Sequence, residues 1–334
     1  MFNTKYLLYI NFTKTINAIR LIAGYWVSIL FKKVFVWGSP YSVSIEPSSI
    51  CNLSCSECPA GNKSLSRKSG LLDYELFEKI IDQTKKYAIY LNLYLQGEPF
   101  LNPSIFKMIR YANENNIYTC TSTNGHFIDK ESARNIIESG LQKLIVSVDG
   151  TSQDIYEKYR QGGSLEKVLS GIRILAELKK ELKSQSPEIE IQFIVFKHNQ
   201  HQIKEIQHIG KETGANRIAL KSAQIINPTT DFELIPSEQK FARYKKQNNE
   251  YILKSKFHNR CFRLWQTIVF TNKGEVIPCC FDKNAEFIVG NIKTSPFLAI
   301  WKSVHFNHFR KKILASRKKV PICCNCTSGL RIKY

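Results

Sequence analysis

The chain is predicted to be an α/β protein: an open, partial (β/α)6 barrel followed by a small cysteine-rich α+β domain. Three observations predict it. Short β-rich runs alternate with longer amphipathic runs between residues 41 and 221. A tight loop of three cysteines follows the first of those β-rich runs, and six of the ten cysteines fall in the last 75 residues.

The β-rich runs are residues 41–46, 90–96, 117–123, 143–148, 188–196 and 217–221. Amphipathic segments at 73–87, 103–115, 129–139, 165–183 and 201–213 separate them, the pattern of a parallel sheet with crossover helices. Six units are too few to close an eight-stranded barrel, so the barrel is expected to be open. The chain divides into an N-terminal segment (1–40), a core (41–225), a connecting segment (226–257) and a C-terminal domain (258–334).

The N-terminal segment holds an apolar stretch at 21–31, with Arg20 before it and Lys32-Lys33 after it. A membrane span needs about twenty apolar residues, so this stretch is too short to cross. It is expected to pack on the catalytic domain and close one end. Its basic flanks, with Tyr25 and Trp26 as anchors, would also suit a membrane interface.

With 43% hydrophobic residues the chain can bury a substantial core. Its cysteines come without a secretory signal, which indicates a cytoplasmic protein that uses them for metal rather than for disulfides. The net charge is +20, and neither residues 1–45 nor residues 302–334 contain an acid. Such a surplus suits an acidic partner: an anionic membrane surface, a phosphorylated substrate or an acidic peptide. No nucleic-acid motif accompanies it, and nucleic acid is not expected as a partner.

The loop reads Cys51-x3-Cys55-x2-Cys58. Soft thiolates are the ligands of a cubane iron–sulfur cluster, and three of them leave one of its four irons open. An open position at a metal is where a substrate or cofactor binds. Zinc would want a fourth ligand nearby, and the next cysteine, Cys120, is distant and reads as a small buried hydrophobe. In βα architectures chemistry gathers at the carboxyl ends of strands, where this loop sits. Three further strand ends are polar: Gln96-Gly97-Glu98-Pro99, Thr121-Ser122-Thr123-Asn124-Gly125 and Ser147-Val148-Asp149-Gly150, the last followed by Tyr159-Arg160. Singly, each is an ordinary turn. Together, they suit a ligand with an amino group, a carboxylate and hydroxyls.

Here the chain resembles the radical S-adenosylmethionine (SAM) superfamily, over about residues 41–225. The family's cysteine motif matches Cys51, Cys55 and Cys58, and its glycine–glutamate motif matches Gly97-Glu98-Pro99. The resemblance implies a 4Fe–4S cluster whose open iron is chelated by SAM, and cleavage of SAM to a 5′-deoxyadenosyl radical. It also implies a small reductant protein of the flavodoxin or ferredoxin type. By family pattern Glu98 would hold the SAM amino group, and Ser122, Asn124, Ser147 and Arg160 are candidates for its ribose and carboxylate. One departure is Glu57, where the family commonly has an aromatic residue.

In the tail, Cys261, Cys279, Cys323 and Cys326 supply four thiolates, enough to close a metal site fully, and zinc remains open beside iron–sulfur. Cys280 and Cys324 are adjacent and either could replace its neighbour. Residues 267–271 and 275–279 predict a hairpin around Asn272-Lys273-Gly274. These features resemble the truncated, single-cluster form of the SPASM domain, the twitch domain. That resemblance implies a second, auxiliary 4Fe–4S cluster that would accept an electron from the substrate radical. Relatives of this architecture modify peptides, mature sulfatases or oxidise sugar alcohols, so an acidic peptide, a phosphorylated sugar or a lipid-linked glycan are the substrate classes expected. The competing classes are a non-catalytic iron–sulfur carrier or assembly protein and a zinc-ribbon binding module.

Overall fold

The alternation in the sequence becomes six strands and their connecting helices in a computed structural model of the chain, which describes residues 4–255 and 257–326. Two compact units emerge, each discontinuous in sequence. The first takes the chain up to Ile50, Leu65–Cys120 and Phe257–Cys326; the second takes Cys51–Ser64 and the stretch from Thr121 to just before Phe257.

The first unit opens with helix α1 (Phe12–Phe31), which Asn11 caps by accepting from the Lys14 amide. The apolar stretch noted above is thus the second half of a 20-residue helix, because the Asn11 cap starts the helix nine residues earlier. Strand β1 (Ser42–Ile45), helix α2 (Tyr74–Thr84), strand β2 (Tyr90–Asn92) and helix α3 (Ile105–Glu114) follow, leading into strand β3 (Tyr118–Thr123). β1 pairs parallel with β2, and β2 with the first half of β3. β1 and the first half of β3 are buried throughout, as in a parallel sheet covered on both faces, although Ser42, Ser44 and Thr119 stand among their residues.

In the second unit, helix α4 (Lys130–Glu138) begins with a capping box between Asp129 and Ser132. Strand β4 (Lys143–Ser147), helices α5 (Gln153–Glu157) and α6 (Leu165–Glu181), strand β5 (Glu188–Val195), helix α7 (Ile203–Glu212) and strand β6 (Arg217–Ser222) complete the alternation. β4, β5 and β6 pair parallel in that order. The connecting segment then forms a hairpin, β7 (Tyr244–Gln247) and β8 (Glu250–Leu253), around Asn248-Asn249. Both asparagines have positive φ, as a type I′ turn requires, and asparagine tolerates this better than most residues.

Phe257–Cys326 belongs to the first unit. Helix α8 (Arg263–Gln266) leads into β9 (Thr267–Phe270), which pairs parallel with β1 and antiparallel with β10 (Glu275–Ile277). This is the expected hairpin, turned by Gly274. Strand β11 (Gly290–Asn291) and helices α9 (Phe297–Trp301) and α10 (Val304–Ser316) follow. The N-terminal segment, expected to pack on the core at 41–225, meets that core through Lys14 and Asn116 and is also pinned to this C-terminal part. The Trp265 indole donates to the Phe35 carbonyl at 3.0 Å, and the Trp301 indole to the Gly38 carbonyl at 2.9 Å.

Candidate functional site

In the second unit the cysteine loop curls tightly over itself. The Cys58 amide donates to the Cys55 carbonyl at 3.2 Å, and a Cβ on Gly61 would lie 2.7 Å from the Cys55 nitrogen. Cys55 is buried and Cys51 and Cys58 are half-buried, all three thiols packing against an apolar cluster that includes Leu53, Tyr159 and Phe196. None is oxidised to a disulfide. Burial pushes the Cys55 thiol up to about 11, against the pull of Arg160, so in the metal-free chain it stays protonated.

Two polar side chains reach these sulfurs. Asn124 Nδ2 lies 3.8 Å from Cys51 Sγ and donates to Asn52 Oδ1 at 2.7 Å. Arg160 Nη1 lies 3.9 Å from Cys55 Sγ, and its Nε donates to Asp149 Oδ2 at 2.6 Å. Asp149 is fully buried, and its other oxygen accepts from the Ile194 amide at 2.6 Å. Asp149-Gly150 is therefore more than a turn: it anchors the guanidinium that meets the loop. Of the other residues expected here, Ser147 is buried at the end of β4 and Ser122 is half-buried in β3.

Three contributors escaped the sequence. His126 holds Asn124: its Nε2 accepts from the Ser164 amide at 2.8 Å, so Nδ1 carries the proton and faces Asn124 Oδ1 at 3.0 Å. Asp149 read as part of a polar strand end and not as the partner of Arg160. Glu57, the family departure, is buried, and its Oε2 accepts from the Ile226 amide at 2.5 Å, tying the cysteine loop to the connecting segment. The Asn124-x-His126 spacing was the signal available for the first of these.

Glu98 belongs to the first unit. It is buried, caps the short turn after it by accepting from the Phe100 amide at 3.1 Å, and its own amide donates to the Ile50 carbonyl at 2.8 Å. The preceding Gly97 has φ +69°, and a Cβ there would lie 2.5 Å from the Ser48 carbonyl. This glycine therefore lets the Ser48–Ile50 backbone come close.

The tail cysteines also lie in the first unit. Cys261, Cys279, Cys323 and Cys326 are buried, whereas Cys324 is exposed and turned toward the carbonyls of Lys318 and Val320. Arg263 Nη1 meets Cys280 Sγ at 2.8 Å. A hydrogen bond from Cys279 and the Arg263 charge favour the Cys280 thiolate. Arg317 lies within electrostatic reach of Cys326, Cys261 and Cys323. Cys120 is buried in β3, as expected.

The donor sets fit iron–sulfur clusters. Both consist of thiols with arginines beside them to offset an anionic cluster. Among the described residues no three His, Cys, Asp or Glu side chains converge as one metal ion would need. Thiolates that each hold a different iron of a cubane need not converge in that way.

Comparison with known proteins agrees. Residues 45–207 match the radical SAM superfamily, and residues 261–327 match the SPASM iron–sulfur cluster-binding domain. The chain carries a radical SAM superfamily domain followed by a SPASM iron–sulfur cluster-binding domain; it is an enzyme whose cofactors are iron–sulfur clusters and SAM. Among its relatives is the tungsten-containing aldehyde ferredoxin oxidoreductase cofactor-modifying protein of Pyrococcus furiosus, 24% identical over 85% of this chain and 86% of that protein. The mycofactocin maturase of Mycobacterium ulcerans is 24% identical over 79% of this chain and 75% of its own length. The AdoMet-dependent heme synthase of Methanosarcina barkeri is 28% identical over 53% of this chain, which spans about half (49%) of that relative. In fold the chain is similar to Streptococcus suis SuiB bound to precursor peptide SuiA (TM-score 0.64, 16% identity, 95% of this chain and 76% of that one). It is also similar to BtrN in complex with AdoMet and 2-DOIA (TM-score 0.53, 19% identity, 86% and 92%).

Proposed function

We propose that this enzyme reductively cleaves SAM and abstracts hydrogen from a peptide or sugar-type substrate, taking its electron from a small flavodoxin- or ferredoxin-type protein. The observation that carries the proposal is the cysteine loop itself: three unoxidised thiols on an apolar wall, approached by one amide and one guanidinium. Cys51, Cys55 and Cys58 would hold the SAM-binding cluster, and Cys261, Cys279, Cys323 and Cys326 the auxiliary one. For SAM itself, Glu98 is assigned to the amino group, and Ser122, Asn124, Ser147 and Arg160 to the ribose and carboxylate. When bound, the cluster and SAM supply one-electron cleavage of the sulfonium bond, and the auxiliary cluster supplies an electron acceptor.

The chain's own residues do the positioning. His126 fixes the Asn124 amide, and Asp149 fixes the Arg160 guanidinium, so that neither must reorganise when charge develops nearby. Leu53, Tyr159 and Phe196 help to keep water from the Cys55 thiol and back the half-buried Cys51 and Cys58. A peptide substrate is supported by SuiB, whose complex holds a precursor peptide, and by the maturase among the relatives.

Anaerobic reconstitution with iron and sulfide, followed by dithionite and SAM, tests the proposal. 5′-Deoxyadenosine and methionine should form with the parent chain and not with Cys55→Ala. An intact cluster that yields no 5′-deoxyadenosine would leave a non-catalytic iron–sulfur carrier in its place.

A further inference from the structure

Helix α1 turns an apolar stripe away from the protein. Its inward face buries Leu21 and Tyr25 together with Lys14, Asn17 and Ser28, and these last three are all satisfied. Lys14 Nζ donates to the Asn116 carbonyl at 2.6 Å and to the Tyr9 carbonyl at 3.1 Å. Asn17 exchanges two 2.8 Å hydrogen bonds with the Ser39 backbone, and the Ser28 hydroxyl accepts from the Phe35 amide at 2.9 Å. The outward face is apolar: Phe12 is 80% exposed, Ile19 61%, Ile22 41%, Trp26 56% and Leu30 75%. Steps of seven, three, four and four residues keep all five on one narrow stripe. An uncovered stripe of this kind marks a surface that meets something apolar.

We infer that this stripe lies in the plane of an anionic phospholipid bilayer, with α1 flat on the surface and the rest of the chain in water. Charge selects this occupant. Residues 1–45 contain five basic residues and no acid, and Arg20, Lys32 and Lys33 are exposed around the stripe. Trp26 suits the headgroup boundary, where an indole buries its ring and keeps its N–H wet. A second copy of the chain would bring +20 against +20. The helix does not cross: no helix among the described residues is long and apolar enough, and the inward face of α1 is hydrogen-bonded to its own domain. None of the five stripe residues is a proposed cluster or SAM ligand, so this inference does not depend on the proposed chemistry.

Flotation of the full chain with vesicles of phosphatidylcholine alone, and of phosphatidylcholine with phosphatidylglycerol, tests it. The parent should float with the phosphatidylglycerol vesicles and release as salt rises. Trp26→Ser combined with Leu30→Ser removes two exposed side chains at the loss of one ring contact to Tyr25, and should weaken binding at least about tenfold. Lys32→Glu with Lys33→Glu should weaken it on charged vesicles only. The inference is overturned if the parent stays unbound to both vesicle types, or if the serine double variant floats as well as the parent. It is equally overturned if the parent is a dimer in solution that the serine variant converts to a monomer. In every outcome 5′-deoxyadenosine formation by the serine variant reports separately on the catalytic proposal.

Discussion

The guanidinium of Arg160 and the carboxylate of Asp149 form a pair with almost no access to water, their side chains 13% and 0% exposed. Removing one partner of such a pair strands the other charge, which costs far more than the pair is worth. Asp149→Asn should lower the unfolding free energy of the metal-free chain by about 3–5 kcal/mol in urea melts. A loss below about 1 kcal/mol would show that Arg160 finds another partner. His198 makes a second residue-scale prediction. Its ring stacks on Phe196 with centroids 5.2 Å apart, and burial pushes its pKa down to about 4. The unfolded chain therefore takes up the proton first as pH falls through about 6.5. The stability this histidine gives is complete above that pH and is lost progressively down to about 4. His198→Phe keeps the stack and removes the proton, so its urea midpoint should fall less between about pH 7 and 5. Parallel falls in parent and variant would assign the loss to other groups. At this scale the sequence was legible wherever chemistry needs a rare residue type at fixed spacing, as with Cys51, Cys55 and Cys58. It was silent wherever a common residue gains its role from a distant partner. Glu57 meets the Ile226 amide 169 positions away, and no local pattern encodes that.

Elements were legible in proportion to their length and periodicity. The five long crossover helices and six strands lie where alternation places them, with ends differing by a few residues, as expected where caps rather than apolar period decide the boundary. Among the elements that were missed, two were missed for different reasons. The first half of α1 carries little apolar signal, and only the Asn11 cap marks its start. The β7–β8 hairpin had a local sign, Asn248-Asn249 between two β-prone runs, but its charged Lys245 and Lys246 mask the alternation. Gly97 is the element-scale position most open to test, because left-handed φ and close approach coincide there. Gly97→Ala must strain the backbone and displace the Ser48 carbonyl at once. The expected outcome is a loss of about 2 kcal/mol or more in stability, together with weaker SAM binding in the reconstituted protein. Unchanged SAM affinity alongside lost stability would confine this glycine to a structural part.

For the molecule as a whole the governing quantity is the +20 net charge, which favours expansion of any compact state through self-repulsion. The ion pairs that could oppose it are few in kind. Arg160–Asp149 and Arg67–Glu46 are buried, the latter with two contacts of 2.5 and 2.7 Å, and salt screens such pairs weakly. Lys85–Asp82, Arg134–Glu138 and Arg173–Glu166 are exposed and contribute little in water. Screening should therefore relieve long-range repulsion more than it weakens local attraction. The thermal midpoint of the metal-free chain at neutral pH should rise as sodium chloride goes from low to physiological strength, the interval in which the Debye length falls toward about 8 Å. Chloride and the more strongly excluded sulfate must be compared at equal ionic strength, since sulfate also strengthens burial of apolar surface. A midpoint that falls with chloride would mean that exposed pairs outweigh the charge surplus. The surplus would then act on partners, such as the bilayer facing α1, more than on the fold.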